Sequence, residues 1–185
     1  MKISKAIEQL RDPAASIMGS PSTTALQLRA PVGEIVASER PTFRWRPFAG
    51  AISYQIIISD PAASYQEVAS SPQLKGIHWT VDRPLKRGHV YTWQIIVRTA
   101  DEELKAPGPE APAAKFKVLD HATASKLVRA KKSYAGRRLA LGLLYAEAGL
   151  LDEAERELKA LVAANPRSQI AKSLLLDLRS KHRRQ

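Results

Sequence analysis

The sequence predicts a two-part chain, in which an antiparallel β-sandwich is followed by a smaller α-helical domain. From Leu26 to Leu119 apolar residues recur at every second position, as they do in strands with one face toward a core. Clusters of proline, glycine, serine and aspartate separate these short runs, which is typical of a sandwich. After Asp120 the apolar period lengthens to that of an amphipathic helix.

The change of period also predicts the domain organisation. Residues 24–119 are assigned to the sandwich and 120–185 to the helices, while 1–23 are expected to form a flexible arm in which a short helix can form. A hydrophobic content of 44% is enough for an ordinary globular core. No apolar run approaches the roughly 20 residues of a membrane-spanning helix.

Several residues of the first part resemble a known family. The inward sets of the strands contain the order Pro41-x-Phe43-x-Trp45, then Tyr54-x-Ile56, then Leu85-x-x-Gly88-x-x-Tyr91-x-Trp93-x-Ile95. This order resembles a fibronectin type III domain, an immunoglobulin-like sandwich, over roughly residues 24–119. The resemblance implies that Trp45 anchors the core from the second strand and that Leu85 and Tyr91 form the corner that closes the sandwich. Lys86-Arg87 departs from the family, in which a proline is common at that turn.

Four helices are expected in the second part, over 121–133, about 134–148, about 152–164 and 168–181, with Asp152 as an N-cap. The second and third carry Leu141-Gly142, Tyr145, Ala154, Leu158 and Pro166. These residues resemble one tetratricopeptide (TPR) repeat, a hairpin of two helices that Gly142 and Ala154 would bring close together. No second copy is found. A lone repeat must bury its remaining faces on the flanking helices, the sandwich or a partner.

The sequence contains no arrangement of residues that is typical of a catalytic or metal-binding site. It has no cysteine, its four histidines form no metal-ligand spacing, and no phosphate-binding loop or nucleophile-elbow motif is present. The carboxylates 101–103 are expected in a solvated turn before the last strand. We therefore expect no enzyme activity, no cofactor and no metal.

The helical part carries most of the formal net charge of +11. Lys126, Arg129 and Lys132 are three residues apart and form one stripe, which continues toward Arg137 and Arg138. Such a stripe can meet phosphates, or it can be a solvated helix face. Aromatic residues are scarce beside it, and residues 147–157 carry five acids against one base. These two observations argue against a nucleic acid or an anionic membrane as the partner.

Two groups of apolar residues are candidates for an interaction patch, within the chain or with a partner. Ile57 and Ile96 point away from the core if their strand neighbours point inward, and in the resembled family their strands are adjacent. Leu139, Leu143 and Ala146 occupy the face with which tetratricopeptide repeats bind peptides. We expect the helices to dock on the sheet through these residues.

The sequence thus predicts a non-catalytic protein-interaction or scaffolding module whose partner is another protein. Its layout resembles the C-terminal region of bacterial envelope proteins of anti-sigma type, without their cysteine-containing head or membrane helix. An accessory module of a surface or carbohydrate-active enzyme is the alternative, although Trp45, Trp79 and Trp93 fall on inward positions. A basic nucleic-acid adaptor is a weaker alternative. Residues 1–16 lack the apolar stretch of a secretory signal, so the expected location is the cytoplasm, or the periplasm for the soluble part of an anchored protein. The oligomeric state is left open, with a monomer favoured.

Overall fold

The computed structural model of the protein describes Leu10 and residues 26–182. The possible helix of the predicted arm lies outside the described residues. The chain divides into two compact units, with the boundary between Val118 and Leu119. The predicted boundary lies one residue later.

The first unit is a β-sandwich of two sheets. Its strands are β1 (Leu28–Ala30), β2 (Glu34–Val36), β3 (Thr42–Trp45), β4 (Ser53–Asp60), β5 (Gln66–Ser70), β6 (His78–Thr80), β7 (Val90–Arg98), β8 (Glu103–Ala106) and β9 (Ala114–Val118). The smaller sheet has the order β1-β3-β6. The larger sheet has the order β2-β9-β7-β4-β5, and β8 pairs with the second half of β7. All pairs are antiparallel except β2 with β9, which is parallel.

Aromatic rings from both sheets meet in the core. The ring of Phe43 lies 5.0 Å from that of Trp93 and 5.4 Å from that of Phe116, both edge-on. All three side chains are buried. Edge-to-face contacts of this kind add about 0.5–1.5 kcal/mol each to the gain from burial. Trp45 is also buried, as its expected role as a core anchor requires.

The corner implied by Leu85 and Tyr91 is present. The Tyr91 hydroxyl accepts a hydrogen bond from the Lys86 backbone N–H at 3.0 Å and donates one to the Lys86 carbonyl at 3.3 Å. Leu85 is buried, and its N–H donates to the Glu39 carbonyl. Burial of the Tyr91 hydroxyl raises its pKa. The hydroxyl therefore ties the start of β7 to the turn that precedes it.

The strand pairing along one side of β7 is interrupted. β8 pairs with Ile95–Arg98 of β7, and β9 pairs with Val90–Trp93, so residues 107–113 bulge out between two halves of one edge. The expected turn at 101–103 is shorter than predicted. Glu103 already belongs to β8, and its carboxylate lies 3.4 Å from the Arg98 guanidinium.

The second unit contains four helices in its described part: α1 (His121–Ser133), α2 (Arg138–Ala148), α3 (Leu151–Ala164) and α4 (Gln169–His182). The Asp120 carboxylate caps α1 by accepting from the Thr123 N–H at 2.8 Å. The second helix begins four residues later than expected, because Gly136 has a φ of +78° that a helix cannot contain. Asp152 is not the N-cap of α3: Leu150 holds that position, and Asp152 lies in the first turn.

The α2–α3 pair is close-packed, as the small residues predicted. A Cβ atom at Gly142 would lie only 3.1 Å from the Leu158 side chain. Ala154 and Leu158 are fully buried. Gly149 ends α2 in the left-handed conformation, with a φ of +83°.

α4 is joined to α3 by an ion-pair network as well as by buried leucines. The Glu155 carboxylate accepts from Arg179 Nε at 2.7 Å and lies 3.0 Å from Lys159 Nζ. Burial alone would raise the pKa of Glu155, but the hydrogen bonds from Arg179 and Lys159 outweigh burial and hold the pKa below its ordinary value. No helix in the described part of the chain is both long and apolar enough to cross a membrane.

Candidate interaction surfaces

A groove runs over the outer face of the larger sheet. Its floor contains Ile57 from β4, which lies directly opposite Gln94 of β7, with Thr92 and Ser59 beside them. Tyr65 lies on one side and the bulged segment 107–113 on the other. The volume of the groove is 360 Å³. The floor thus offers amide and hydroxyl groups next to one aliphatic side chain, between walls of aromatic and proline rings.

The backbone that carries Tyr65 is unusual. Ser64 and Tyr65 have φ values of +54° and +59°, which non-glycine residues rarely adopt, and the Tyr65 side chain is 63% exposed. Just before them, the Asp60 carboxylate accepts from the Ala62 N–H at 2.9 Å and lies 3.4 Å from His89 Nδ1. Asp60 thus caps the short 3₁₀ helix Pro61–Ala63, which leads into the left-handed residues Ser64 and Tyr65.

The segment 107–113 separates two grooves. A turn closed by the Ala111 N–H donating to the Gly108 carbonyl at 3.0 Å gives the segment its shape. The second groove, of 470 Å³, is lined mainly by apolar side chains of Leu26, Leu28, Phe48 and Leu104. Pro107, Gly108 and Ala111 line both grooves, so the segment is a ridge between them.

Ile57 and Ile96, the predicted sheet patch, are diagonal neighbours on the outer face. Ile57 is opposite Gln94, and Ile96 is opposite Gln55. Both side chains are half-buried. Ile57 belongs to the groove, whereas Ile96 lies beside Lys105 of β8. Their contact with the helices stays a prediction.

The helical residues of the predicted patch differ in exposure. Leu139 is 40% exposed and Leu143 is 37% exposed. Ala146 is fully buried, because it lies one turn after Gly142 on the face that packs against α3. The two leucines are therefore the accessible part of this group.

The predicted basic surface is exposed at every position. Lys126, Arg129, Lys132 and Arg137 are exposed and form no ion pair with any described residue. Arg138 lies 3.5 Å from the Glu157 carboxylate. α1 has no buried side chain in its described length, and Val128 is 60% exposed.

Among the described residues, the side chains with a shifted pKa lie in the structural framework of the two units. They are those of Tyr91 at the corner, Glu155 between α3 and α4, and Tyr145, whose pKa is raised first by burial and then by Glu157 and Glu153. None of these groups lines the groove or belongs to the basic surface.

Tyr65 and the ridge 107–113 were not among the predicted site residues. The sequence signal for the ridge is the run Pro107-Gly108-Pro109, one of the clusters of proline and glycine that separate the predicted strands. Tyr65 gives no signal of its own, because its exposure follows from backbone angles that no local pattern specifies.

The matches of this chain to known proteins lie among solved structures. No family model matches the chain, and no curated protein matches it. Among solved structures, the fn3 domain of human collagen alpha-1(XX) chain is 21% identical. That match covers 55% of this chain and 93% of the collagen domain, with a TM-score of 0.37. Within the residues that the structure describes, a β-sandwich is followed by four helices.

Proposed function

We propose that this chain is a non-catalytic protein-interaction module and that its sandwich binds a segment of a partner protein in the groove beside Tyr65. The observation that carries the proposal is the groove itself. Its volume is at the lower end of the range for binding pockets, about 300–1,000 Å³. It therefore suits a few side chains of a peptide segment better than a large cofactor.

The chemistry of the groove supports a protein as its occupant. An exposed tyrosine is the kind of residue that is enriched at protein interfaces, because it supplies a large contact area and loses little entropy. The side chains of Gln94 and Ser59 can satisfy the backbone groups of a bound segment, while Ile57 contacts an apolar side chain. The left-handed backbone at Ser64 and Tyr65 sets the position from which the ring projects.

A photo-crosslinking experiment in the native host tests this function. A benzoylphenylalanine placed at Tyr65 is expected to capture one partner protein, and Ile57→Ser is expected to weaken that capture. Ile52, which is 57% exposed and is not part of either groove, is the matched control position. Capture of the same proteins from both positions would refute a partner site in the groove.

We also propose that α2 and α3 form a TPR-like hairpin with a scaffolding role. The close approach of Gly142 to Leu158 and the burial of Ala154 support the repeat. Leu139 and Leu143 supply an apolar surface for a second contact. The layout of sandwich and repeat favours a regulatory or envelope-associated role in a bacterium, which the genes adjacent to this one would test.

A second candidate function is that of an accessory module of a surface or carbohydrate-active enzyme. The exposed Tyr65 ring in the same groove as Gln94 and Ser59 favours it, because sugars stack on aromatic rings and hydrogen-bond to nearby amides and hydroxyls. Affinity electrophoresis in gels that contain soluble polysaccharides distinguishes the two. Retardation that Tyr65→Ala abolishes would support the sugar, and unchanged mobility would support the protein segment.

A further inference from the structure

The outer face of the smaller sheet is a basic surface that only the strand pairing brings together. Arg44 of β3 lies directly opposite His78 of β6. Arg46, the residue after β3, continues the alternation of the strand, with its N–H donating to the Gln27 carbonyl at 2.9 Å. The register shift between Leu28 and Ala30 leaves Arg29 of β1 as an extra residue beside them. All four side chains are exposed.

The acids of the sandwich strands lie elsewhere. None of the three strands of the smaller sheet contains an acid, whereas Glu34, Asp60, Glu67 and Glu103 all lie in strands of the larger sheet. The acids Glu39 and Asp82 lie beyond the ends of β3 and β6, and Glu39 pairs with Arg87 at 3.3 Å. The three arginines form no ion pair within the described part of the chain.

The spacing of these cations matches that of one kind of ligand. Arg44 lies in β3 and Arg46 is the first residue after it; in extended backbone two such residues are about 6.7 Å apart, and the carboxylates of every second residue of an extended peptide have the same spacing. Guanidinium groups bind carboxylates through two parallel hydrogen bonds. A 2.7 Å hydrogen bond between the Thr42 and Thr80 hydroxyls fixes the register of the two strands. The aromatic platforms on which single-stranded nucleic acids stack are missing among the described residues of these three strands, since Phe43, Trp45 and Trp79 are buried.

We propose that this face binds an extended acidic segment of a partner protein, with acids at alternate positions. The inference rests on the proposed function only in taking the partner to be a protein, because its site lies on the opposite sheet from the groove. A bound acidic segment would also offset the repulsion between these arginines across and along the strands.

Fluorescence anisotropy with a labelled peptide of alternating Glu and Thr tests the site. At about 0.01 M salt, where screening is weak, the protein is expected to bind this peptide more tightly than a peptide of equal composition with its glutamates in one block. Arg44→Ala/Arg46→Ala should weaken binding about tenfold, roughly threefold per exposed ion pair. Arg98→Ala/Lys105→Ala removes the same charge from the larger sheet and should weaken it less than twofold.

Further variants separate this surface from the other cationic surface. If the triple alanine variant of Lys126, Arg129 and Lys132 weakened binding more than the Arg44/Arg46 variant, the assignment to the sheet would be wrong. If a 20-base-pair DNA duplex bound more tightly than the peptide, a nucleic acid would replace the acidic segment. Arg44→Glu/Arg46→Glu should instead bind a peptide of alternating Lys and Thr, and failure of this exchange in a variant with a wild-type unfolding midpoint would overturn the proposal. None of these outcomes affects crosslinking from Tyr65, so the proposals for the groove and for the basic face can be refuted independently.

Discussion

Replacing Tyr91 by phenylalanine isolates the contribution of one hydroxyl to the closure of the sandwich. The ring keeps its contacts, including the one with Phe116 at 5.6 Å, and only the two hydrogen bonds to Lys86 are lost. Lys86 is exposed, so water can replace the hydroxyl at its N–H and carbonyl. The expected loss is therefore the net value of two hydrogen bonds rather than the larger penalty of stranded buried groups, or about 1–2 kcal/mol.

Guanidinium denaturation followed by tryptophan fluorescence measures this loss. All three tryptophans lie in the sandwich, so the signal reports the unfolding of that unit and not of the helices. The midpoint should fall while the slope of the unfolding free energy with denaturant stays unchanged.

Two matched variants decide whether the reasoning holds. Tyr54→Phe removes a single hydrogen bond, that from the Phe48 N–H at 2.9 Å, and should cost about 1 kcal/mol. Tyr65→Phe removes an exposed hydroxyl and should cost less than about 0.5 kcal/mol. A Tyr91→Phe loss no larger than that of Tyr65→Phe would show that the corner does not stabilise the sandwich.

Three further predictions concern the sheet face and the helices. If the sheet receives the helices at Ile57 and Ile96, then Ile57→Ser/Ile96→Ser should increase proteolysis of residues 110–125, and unchanged resistance would refute docking. Glu155→Gln should lower the stability of the helical unit by about 1.5 kcal/mol at pH 7. The pKa of Glu155 is lower in the folded than in the unfolded state, so this difference should shrink as the pH falls through the folded pKa. Urea denaturation followed by circular dichroism at several pH values would measure it. Gly142→Leu should destabilise α2–α3 by at least about 2 kcal/mol in the same assay, since even a Cβ contacts Leu158, and a wild-type midpoint would contradict that packing.

The parts of the fold that burial controls could be predicted from the sequence. Phe43, Trp93 and Phe116 alternate with polar residues because only one face of each strand meets the core, and that alternation is visible in the sequence itself. Glycine and proline likewise indicated the ends of α2 and α3. The sandwich and the α2–α3 hairpin could therefore be predicted from the sequence pattern.

The parts that pairing controls could not be predicted. β2 has only three residues, and β5 is exposed along most of its length, so neither shows an apolar alternation. Glu103 is polar and enters a strand only because β7 is long enough to pair with two partners. The basic face depends on the register that puts Arg44 opposite His78, which are far apart in the sequence. Cross-strand neighbours of this kind are invisible until the sheet order is known.

The interruption of the strand pairing along one side of β7 has a consequence for how this protein can change. Because β8 and β9 each pair with β7, residues 107–113 are anchored at both ends and contribute no strand pairing of their own. Lengthening such a loop costs little, about 0.6 kcal/mol for each doubling. Substitutions and insertions there would reshape the two flanking grooves together while the aromatic core stays intact. The ridge is thus the place where new binding specificities could be selected, in evolution or in a combinatorial library, at the smallest cost to folding.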